Sequence, residues 1–170
     1  GFPVDSDQRL FEKLCLEGFQ SGLSWYTILK KREHFRAAFA GFDFYQVAQF
    51  GEADVQRLLQ DAGIVRHRGK IEAAINNAQR AIEMVAQEGS LAAFFWRYAP
   101  AKPSAGTDIQ AQTAESQAMS KELKKRGWKF VGPTTMYALM QAMGLVNDHA
   151  PGCVTRVEVE KAHKAFKLPQ

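Results

Sequence analysis

The stretch "DAGIVRHRGK", residues 61–70, joins two segments of helical periodicity and indicates how the chain is built. Apolar residues recur at helical spacing before it, over residues 52–62, and after it, over residues 70–85. Gly63 is where the first helix is expected to stop, because glycine readily adopts the left-handed conformation that ends many helices. The stretch therefore predicts a tight helical hairpin.

The hairpin carries three cationic side chains, Arg66, Arg68 and Lys70, between and after its glycines. The unpaired amides at the start of a helix and the positive end of its dipole suit a phosphate oxygen. Gly63 and Gly69 would let the backbone come close to a nucleic-acid strand. Two interpretations stay open at this point: an ordinary αα-hairpin with a glycine stop, and a clamp that holds the DNA backbone without reading sequence.

Helical periodicity continues in four further segments: residues 7–18, 23–41, 115–126 and 134–143. Asp5 or Ser6 can cap the first segment, which Gly18 is expected to end, and Gly41 is expected to end the second. Alternation of apolar and polar residues at period two is nearly absent. The predicted fold class is all-α, in one compact helical domain.

That domain is expected to span residues 1–170, with residues 154–170 as a C-terminal tail to which the sequence assigns no role. Residues 99–113 are rich in Pro, Gly, Ala, Ser and Thr and show no periodicity, so they are predicted to form a surface loop rather than a linker between domains. The length suits a single hydrophobic core.

Composition restricts the partners and the compartment. No apolar run approaches the roughly 20 residues that span a bilayer, so no membrane partner is expected. Two cysteines, Cys15 and Cys153, are too few for a disulfide framework, and the sequence opens without a leader pattern, which favours a reducing cytoplasm. The net charge is +4, but cationic residues gather in three groups, within residues 30–36, 66–70 and 121–129. Solvated helix faces or a nucleic-acid partner would each explain this grouping.

The stretch "LEGFQSGLSW", residues 16–25, places a carboxylate and a tryptophan eight residues apart. Glu17 follows Leu10 and Leu14 at helical spacing, so it lies at the edge of the buried face, where a carboxylate must be paired or serve recognition. Trp25 offers an aromatic face that can line the same pocket. A salt-bridged glutamate and a core tryptophan are the alternatives to a pocket for a flat, cationic ligand such as a modified nucleobase.

Several motifs in one order resemble the bacterial DNA-3-methyladenine glycosylase I family, within the helix-hairpin-helix glycosylase superfamily. They are "LFEKLCLEGFQSGLSW", "LKKRE", "DAGIVRHRGKI", "LKKRGWKFVGPT" and "MGLVNDH", and they cover the chain from Gly1 to about Cys153. The resemblance implies a monofunctional hydrolase that flips 3-methyladenine out of alkylated double-stranded DNA and cleaves its N-glycosidic bond. It also implies a bacterial cytoplasmic enzyme acting on the chromosome, and we expect a monomer.

Carried over by position, the resemblance makes Glu17 the catalytic-site carboxylate that hydrogen-bonds the flipped base and Trp25 the ring that stacks on it. The turn of Gln20, Ser21, Gly22 and Leu23 resembles the family's probe of the lesion, with Leu23 as the wedge. The hairpin residues expected on the DNA backbone are Gly63, Arg66, Arg68, Gly69 and Lys70. No water-activating residue is identified, and the segment of residues 124–130 receives no role.

The resemblance also implies a structural zinc. His149 and Cys153 match two of the family's ligands, whereas its N-terminal Cys and His and its pocket tyrosines have no counterpart in this sequence. We therefore expect either a half-site with weak or absent metal, or a parent chain that supplies the remaining ligands. A non-catalytic DNA-binding module, which needs no carboxylate beside an aromatic ring, and a zinc-stabilised RNA-binding or interaction domain, which would show no preference for alkylated DNA, are the alternative functions.

Overall fold

A computed structural model describes residues 1–101, 106–107 and 110–170, and every regular element in these ranges is helical. The elements are α1 (Asp7–Gln20), α2 (Trp25–Lys30), α3 (Arg32–Ala38), α4 (Phe44–Val47), α5 (Glu52–Gln60), α6 (Arg68–Glu88), α7 (Leu91–Trp96), α8 (Ala114–Lys125), α9 (Pro133–Ala142) and α10 (Val154–Ala165). The all-α prediction is confirmed. The loop predicted over residues 99–113 lies partly outside the described residues.

Helix α1 runs through the middle of the molecule and positions the candidate site. It packs against α2, α6, α7 and α9, and Leu10, Phe11, Leu14 and Phe19 on it are almost completely buried. The Phe19 ring contacts the rings of Phe35 on α3 and of Phe39, the residue that follows α3, with ring centroids 4.7 and 5.6 Å away. Because so many neighbours hold α1, side chains on its last two turns have fixed positions.

The predicted end of α1 at Gly18 is wrong by two residues. The helix continues to Gln20, and Ser6 caps its start by accepting a hydrogen bond from the Arg9 amide at 3.4 Å. Gly18 is needed for packing rather than for a turn, since a Cβ added there would lie 3.3 Å from the Phe130 Cβ. Glu17 is therefore inside the last turn of the helix, with its carboxylate aimed from a regular backbone.

The segment predicted as one helix over residues 23–41 is two helices, α2 and α3, separated at Lys31 (φ −94°, ψ 1°). The predicted end at Gly41 is three residues too late: α3 ends at Ala38, and Gly41, left-handed with φ of 64°, lies in the 3₁₀ turn Ala40–Phe42 that follows. Two short helices, α4 and α7, were not predicted. They hold four and six residues, too few for periodicity to identify.

The C-terminal tail forms α10 and packs on the body of the protein. Val159 on α10 is fully buried. The Phe166 ring lies 4.4 Å from the Trp96 ring, and the Trp96 indole donates a 2.8 Å hydrogen bond to the Val4 carbonyl. These contacts join the two ends of the described chain through α7.

Candidate active site and nucleic-acid interface

A cleft of about 390 Å³ lies between α1 and α9, within the size range of small-molecule sites. Its lining is Lys13, Glu17 and Gln20 from α1, Trp25 from α2, and Ala138, Gln141 and Ala142 from α9. Residues 13, 17 and 20 share one face of α1 because they are spaced four and three apart on a helix. The structure thus brings Glu17 and Trp25 into one cleft, as their spacing suggested.

Lys13 occupies the space between these two groups, and sequence reasoning missed it. Its ammonium lies 2.7 Å from a Glu17 carboxylate oxygen and 3.5 Å from the centroid of the Trp25 ring. Burial lowers the pKa of the Lys13 ammonium, while its hydrogen bond to Glu17 acts in the opposite direction. The signal in the sequence was the spacing of four residues between Lys13 and Glu17, which places an ion pair on one helix face.

Trp25 is held at the start of α2, where Ser24 caps the helix. The Ser24 hydroxyl accepts from the Thr27 amide at 3.2 Å and pairs with the Thr27 hydroxyl at 2.8 Å. The Trp25 side chain is 37% exposed, whereas Trp96 and Trp128 are 7% and 3% exposed. Trp25 is therefore not a core residue, and one face of its ring can meet a ligand.

The far wall of the cleft comes from α9, which the sequence did not assign to the site. Ala138, Gln141 and Ala142 line it, and the Gln141 amide donates a 2.9 Å hydrogen bond to the Asp148 carboxylate. Tyr137 also donates to Asp148, and burial raises the pKa of the Tyr137 phenol. Gln141 lines the cleft and Asp148 does not. Asp148 thus supports the wall by holding the Gln141 side chain.

The turn from Gln20 to Leu23 joins the cleft to the protein surface. The Gln20 side chain donates to the Leu23 carbonyl at 2.7 Å, and the Leu23 amide donates to the Gln20 carbonyl at 2.7 Å. Gly22 has a φ of 78°, and Ser21 is exposed beside it. This closed turn presents the Leu23 side chain, 40% exposed, at its tip, which suits the wedge implied for it.

Lys70 does not point outward from the hairpin, contrary to the role expected for it. Its side chain is buried, and its ammonium donates to the Phe19 carbonyl at 2.9 Å and to the Ser21 carbonyl at 2.6 Å. Burial lowers the pKa of this ammonium. Lys70 therefore fastens the end of α1 and the following turn to α6, and its charge is used inside the protein.

The hairpin between α5 and α6 differs from expectation at its other residues too. Gly63 is not left-handed. It is needed because a Cβ would lie 2.8 Å from a carbon of the His34 ring. Arg68 pairs with Glu52 at 2.8 Å and with Glu72 at 2.9 Å. Gly63 thus serves packing within the protein, and the charge of Arg68 is already paired.

What the hairpin still offers a phosphate is its backbone and Arg66. His67 caps α6 by accepting from the Lys70 amide at 3.1 Å, so that amide is used. Within the described ranges, the amides of Arg68 and Gly69 have no acceptor, and the exposed Arg66 side chain has no ionic partner. A Cβ on Gly69 would lie 3.2 Å from the His67 ring. This close approach favours glycine at position 69, so the first turn of α6 carries no side chain there.

The segment of residues 124–130, left without a role by the sequence, is held against α6 by Asn77. The Asn77 side chain donates to the Lys129 carbonyl at 2.9 Å and accepts from the Lys129 amide at 2.8 Å. Phe130 follows in a left-handed conformation, with φ of 54°, and is 41% exposed. Phe130 and Lys129 line a small crevice together with Gly18 and Lys70, so they lie close to the turn that carries Leu23.

Comparison with known proteins identifies the kind of molecule to which this site belongs. The model of the methyladenine glycosylase family matches residues 1–156. The chain belongs to the methyladenine glycosylase family. DNA-3-methyladenine glycosylase 1 of Escherichia coli (strain K12) is 50% identical over 158 residues, which are 90% of this chain and 84% of the relative.

The corresponding Haemophilus influenzae enzyme is 44% identical over 158 residues, 90% of this chain and 85% of that protein. A crystal structure of a variant 3-methyladenine DNA glycosylase I in complex with 3-methyladenine superposes with a TM-score of 0.85 at 37% identity, over 92% of this chain and 87% of that one. The part of this methyladenine glycosylase that the family model covers includes the cleft, the turn and the hairpin, and it ends just inside α10.

The residues expected to bind zinc lie together near the start of α10 in this methyladenine glycosylase. The Cys153 sulfur is 4.0 Å from Nδ1 of His149. Hydrogen bonds from the Thr155 and Arg156 amides lower the pKa of the Cys153 thiol, which favours the thiolate that metals bind. No group of three or more candidate ligands occurs among the residues described. His149 and Cys153 therefore fit two of the four ligand positions of a tetrahedral structural zinc site.

A membrane role was not expected, and no helix within the described residues is long and apolar enough to cross a bilayer.

Proposed function

We propose that this methyladenine glycosylase excises 3-methyladenine from alkylated double-stranded DNA by hydrolysing the N-glycosidic bond. The observation that carries the proposal is the cleft that the Glu17 carboxylate and the Trp25 ring line together. Relatives at 50% and 44% identity are named for this activity. A carboxylate beside an exposed indole face suits a flat ring that has a positive charge and N–H donors.

The chemistry explains why the cleft does not need to protonate the base that leaves. Methylation at N3 gives the adenine ring a positive charge while it is attached to deoxyribose. When the C1′–N9 bond breaks, its electron pair stays with the base, which leaves as neutral 3-methyladenine, and water adds to C1′ of the sugar with loss of a proton. No general acid is required for the leaving base. Glu17 accepts hydrogen bonds from it, and Trp25 stacks on it.

Access to the base requires it to leave the duplex. We assign the turn of residues 20–23 to this step, with Leu23 filling the space vacated in the stack. The unpaired amides at the start of α6 and the Arg66 side chain are assigned to phosphate oxygens, so the hairpin acts as a helix-hairpin-helix clamp. Lys129 and Phe130, exposed beside the turn, extend the same DNA surface.

Incubation of the protein with methylated duplex DNA, followed by analysis of the released bases, tests the proposal. We expect release of 3-methyladenine, with 7-methylguanine left in place. Release of neither base by the folded full-length protein would contradict the proposal and favour a non-catalytic DNA-binding module. Preference for RNA over alkylated DNA would favour the zinc-stabilised RNA-binding domain.

The proposal extends to assembly, compartment and metal. A monomer suffices, because the cleft and the hairpin come from one chain, and light scattering of the purified protein tests this. A cytoplasmic location follows from a chromosomal substrate. Zinc is proposed at His149 and Cys153 only if two further ligands join them, so metal analysis of the 170-residue chain should give less than stoichiometric zinc.

A further inference from the structure

The ammonium of Lys13 occupies the position in which a cationic base would be recognised. It lies 2.7 Å from the Glu17 carboxylate and 3.5 Å from the Trp25 ring centroid, and the Lys13 side chain is only 12% exposed. These are the same two contacts, one ionic and one with an aromatic face, that the proposed function gives to the base. Lys13 thus makes the substrate's contacts within the protein itself.

The ammonium and the cationic base cannot hold this position together. Two like charges in the same partly buried site repel each other, because water screens them less there than in bulk solvent. One carboxylate cannot offset both charges, and one ring face accepts one partner. The cleft is open to solvent on one side, and a lysine side chain is long and flexible, so the ammonium can leave the cleft without movement of α1.

We propose that Lys13 is an internal competing cation that holds the position between Glu17 and Trp25 in the empty enzyme and must leave it before the base can enter. The inference rests on the proposed function. The same Lys13–Glu17 ion pair must break whichever base enters. Lys13 therefore lowers the affinity for every base by the same factor. It determines how readily the cleft is filled and leaves the ratio between bases unchanged.

The test compares Lys13→Met with wild type and with Lys30→Met as the matched control. Lys30 also lies over an aromatic ring, that of Tyr26 at 4.5 Å, but it does not line the cleft. The ligands are free 3-methyladenine and a duplex containing 3-methyl-3-deazaadenine, an uncharged isostere that is not hydrolysed. Fluorescence of Trp25, the most exposed of the three tryptophans, reports binding of the free base.

Lys13→Met should bind both ligands about tenfold more tightly than wild type, the size of one partly buried charge-assisted contact, whereas Lys30→Met should bind the free base as wild type does. In a Glu17→Gln background, Lys13→Met should change the affinity little, because the ion pair is already absent. If Lys13→Met is poorly folded, Lys13→Gln replaces it, with tighter binding again expected.

Equal or weaker base binding by a folded Lys13 variant would overturn the inference, because it would mean that the ammonium stays and assists the base. This result is distinguishable from failure of the proposed function. If wild type releases no 3-methyladenine from methylated DNA, the proposed function fails. If it does release the base, but removal of the Lys13 charge does not tighten binding, the inference alone fails.

Discussion

The Glu17 side chain is 7% exposed in the cleft, with Lys13 as its ionic partner. We expect Glu17→Gln to keep the shape of the site but to lose the charged acceptor for the base. A hydrogen bond to a charged group contributes about 1.5 to 3 kcal/mol, so single-turnover release of 3-methyladenine should fall at least about tenfold. Affinity for undamaged DNA should not change, as measured by fluorescence anisotropy.

Glu83→Gln is the matched control for this substitution. Glu83 pairs with Arg80 on the surface of α6, at 2.8 Å, and does not line the cleft. The Glu83→Gln variant should release 3-methyladenine at the wild-type rate. Release at that rate by Glu17→Gln would show that our role for the carboxylate is wrong.

For single residues, the sequence indicated which side chains belong to the candidate site but not which contacts they make. Glu17 and Trp25 could be singled out, because a carboxylate on a buried helix face and a nearby tryptophan are unusual together. Lys70 could not be placed, since its buried position depends on the carbonyls of Phe19 and Ser21, about fifty residues earlier in the chain. The wall formed by α9 likewise depends on how distant helices pack.

The elements that we propose to contact DNA lead to a prediction about salt dependence. Arg66 is exposed and has no ionic partner in the described ranges, so Arg66→Ala should weaken DNA binding and reduce the slope of log K against log salt concentration by about 0.9. Lys70→Met should slow base release but leave that slope unchanged, because its charge is bound to carbonyls. A loss of slope in Lys70→Met would mean that Lys70 contacts phosphate after all.

Phe130 allows a prediction about backbone strain. An L-residue in a left-handed conformation costs about 1 to 2 kcal/mol relative to glycine, and Phe130 has a φ of 54°. We expect Phe130→Gly to be more stable than Phe130→Ala by about that amount in urea unfolding. Both variants should bind DNA more weakly than wild type, since both lack the exposed ring.

Each Phe130 variant serves as the control for the other, because the ring is absent in both and only the backbone preference differs. If both variants bind DNA with wild-type affinity, the Phe130 ring does not contact DNA. Equal stability of the two would mean that residue 130 does not keep its left-handed conformation in these variants.

Long helices were predictable at the scale of elements, and short or kinked ones were not. The period of α5, α6, α8 and α9 is visible over nine or more residues each. The division between α2 and α3 at Lys31 depends on tertiary packing, as does the continuation of α1 beyond Gly18, where the Lys70 ammonium bonds the Phe19 carbonyl. Glycine positions were read as helix stops, although Gly18 and Gly63 are instead required by close neighbours.

For the molecule as a whole, Arg126 connects the end of α6 with α8 and makes stability depend on pH. Its guanidinium lies 2.7 Å from Glu88 and 2.8 Å from Glu122. The hydrogen bonds from Arg126 are the main cause that lowers the pKa of each carboxyl below its ordinary 4.5. The native state therefore holds these protons less tightly than the unfolded chain does, and the stabilisation is lost as pH falls below about 4.5.

We expect Arg126→Met to reduce the difference in unfolding free energy between pH 7 and pH 3, measured by urea titration. Arg9→Met is the control, because Arg9 is exposed and should leave the pH dependence as in wild type. An unchanged pH dependence in Arg126→Met would mean that other carboxylates determine acid stability.

The position of Lys13 has a consequence for the order of events in one catalytic cycle. The base enters the cleft as a cation and, once the C1′–N9 bond has broken, remains there as a neutral molecule with a weaker hold on Glu17. The waiting ammonium keeps its full charge, so we expect it to return at that moment and shorten the residence time of the product. An enzyme without this lysine should release its first product molecules in a burst and then turn over slowly.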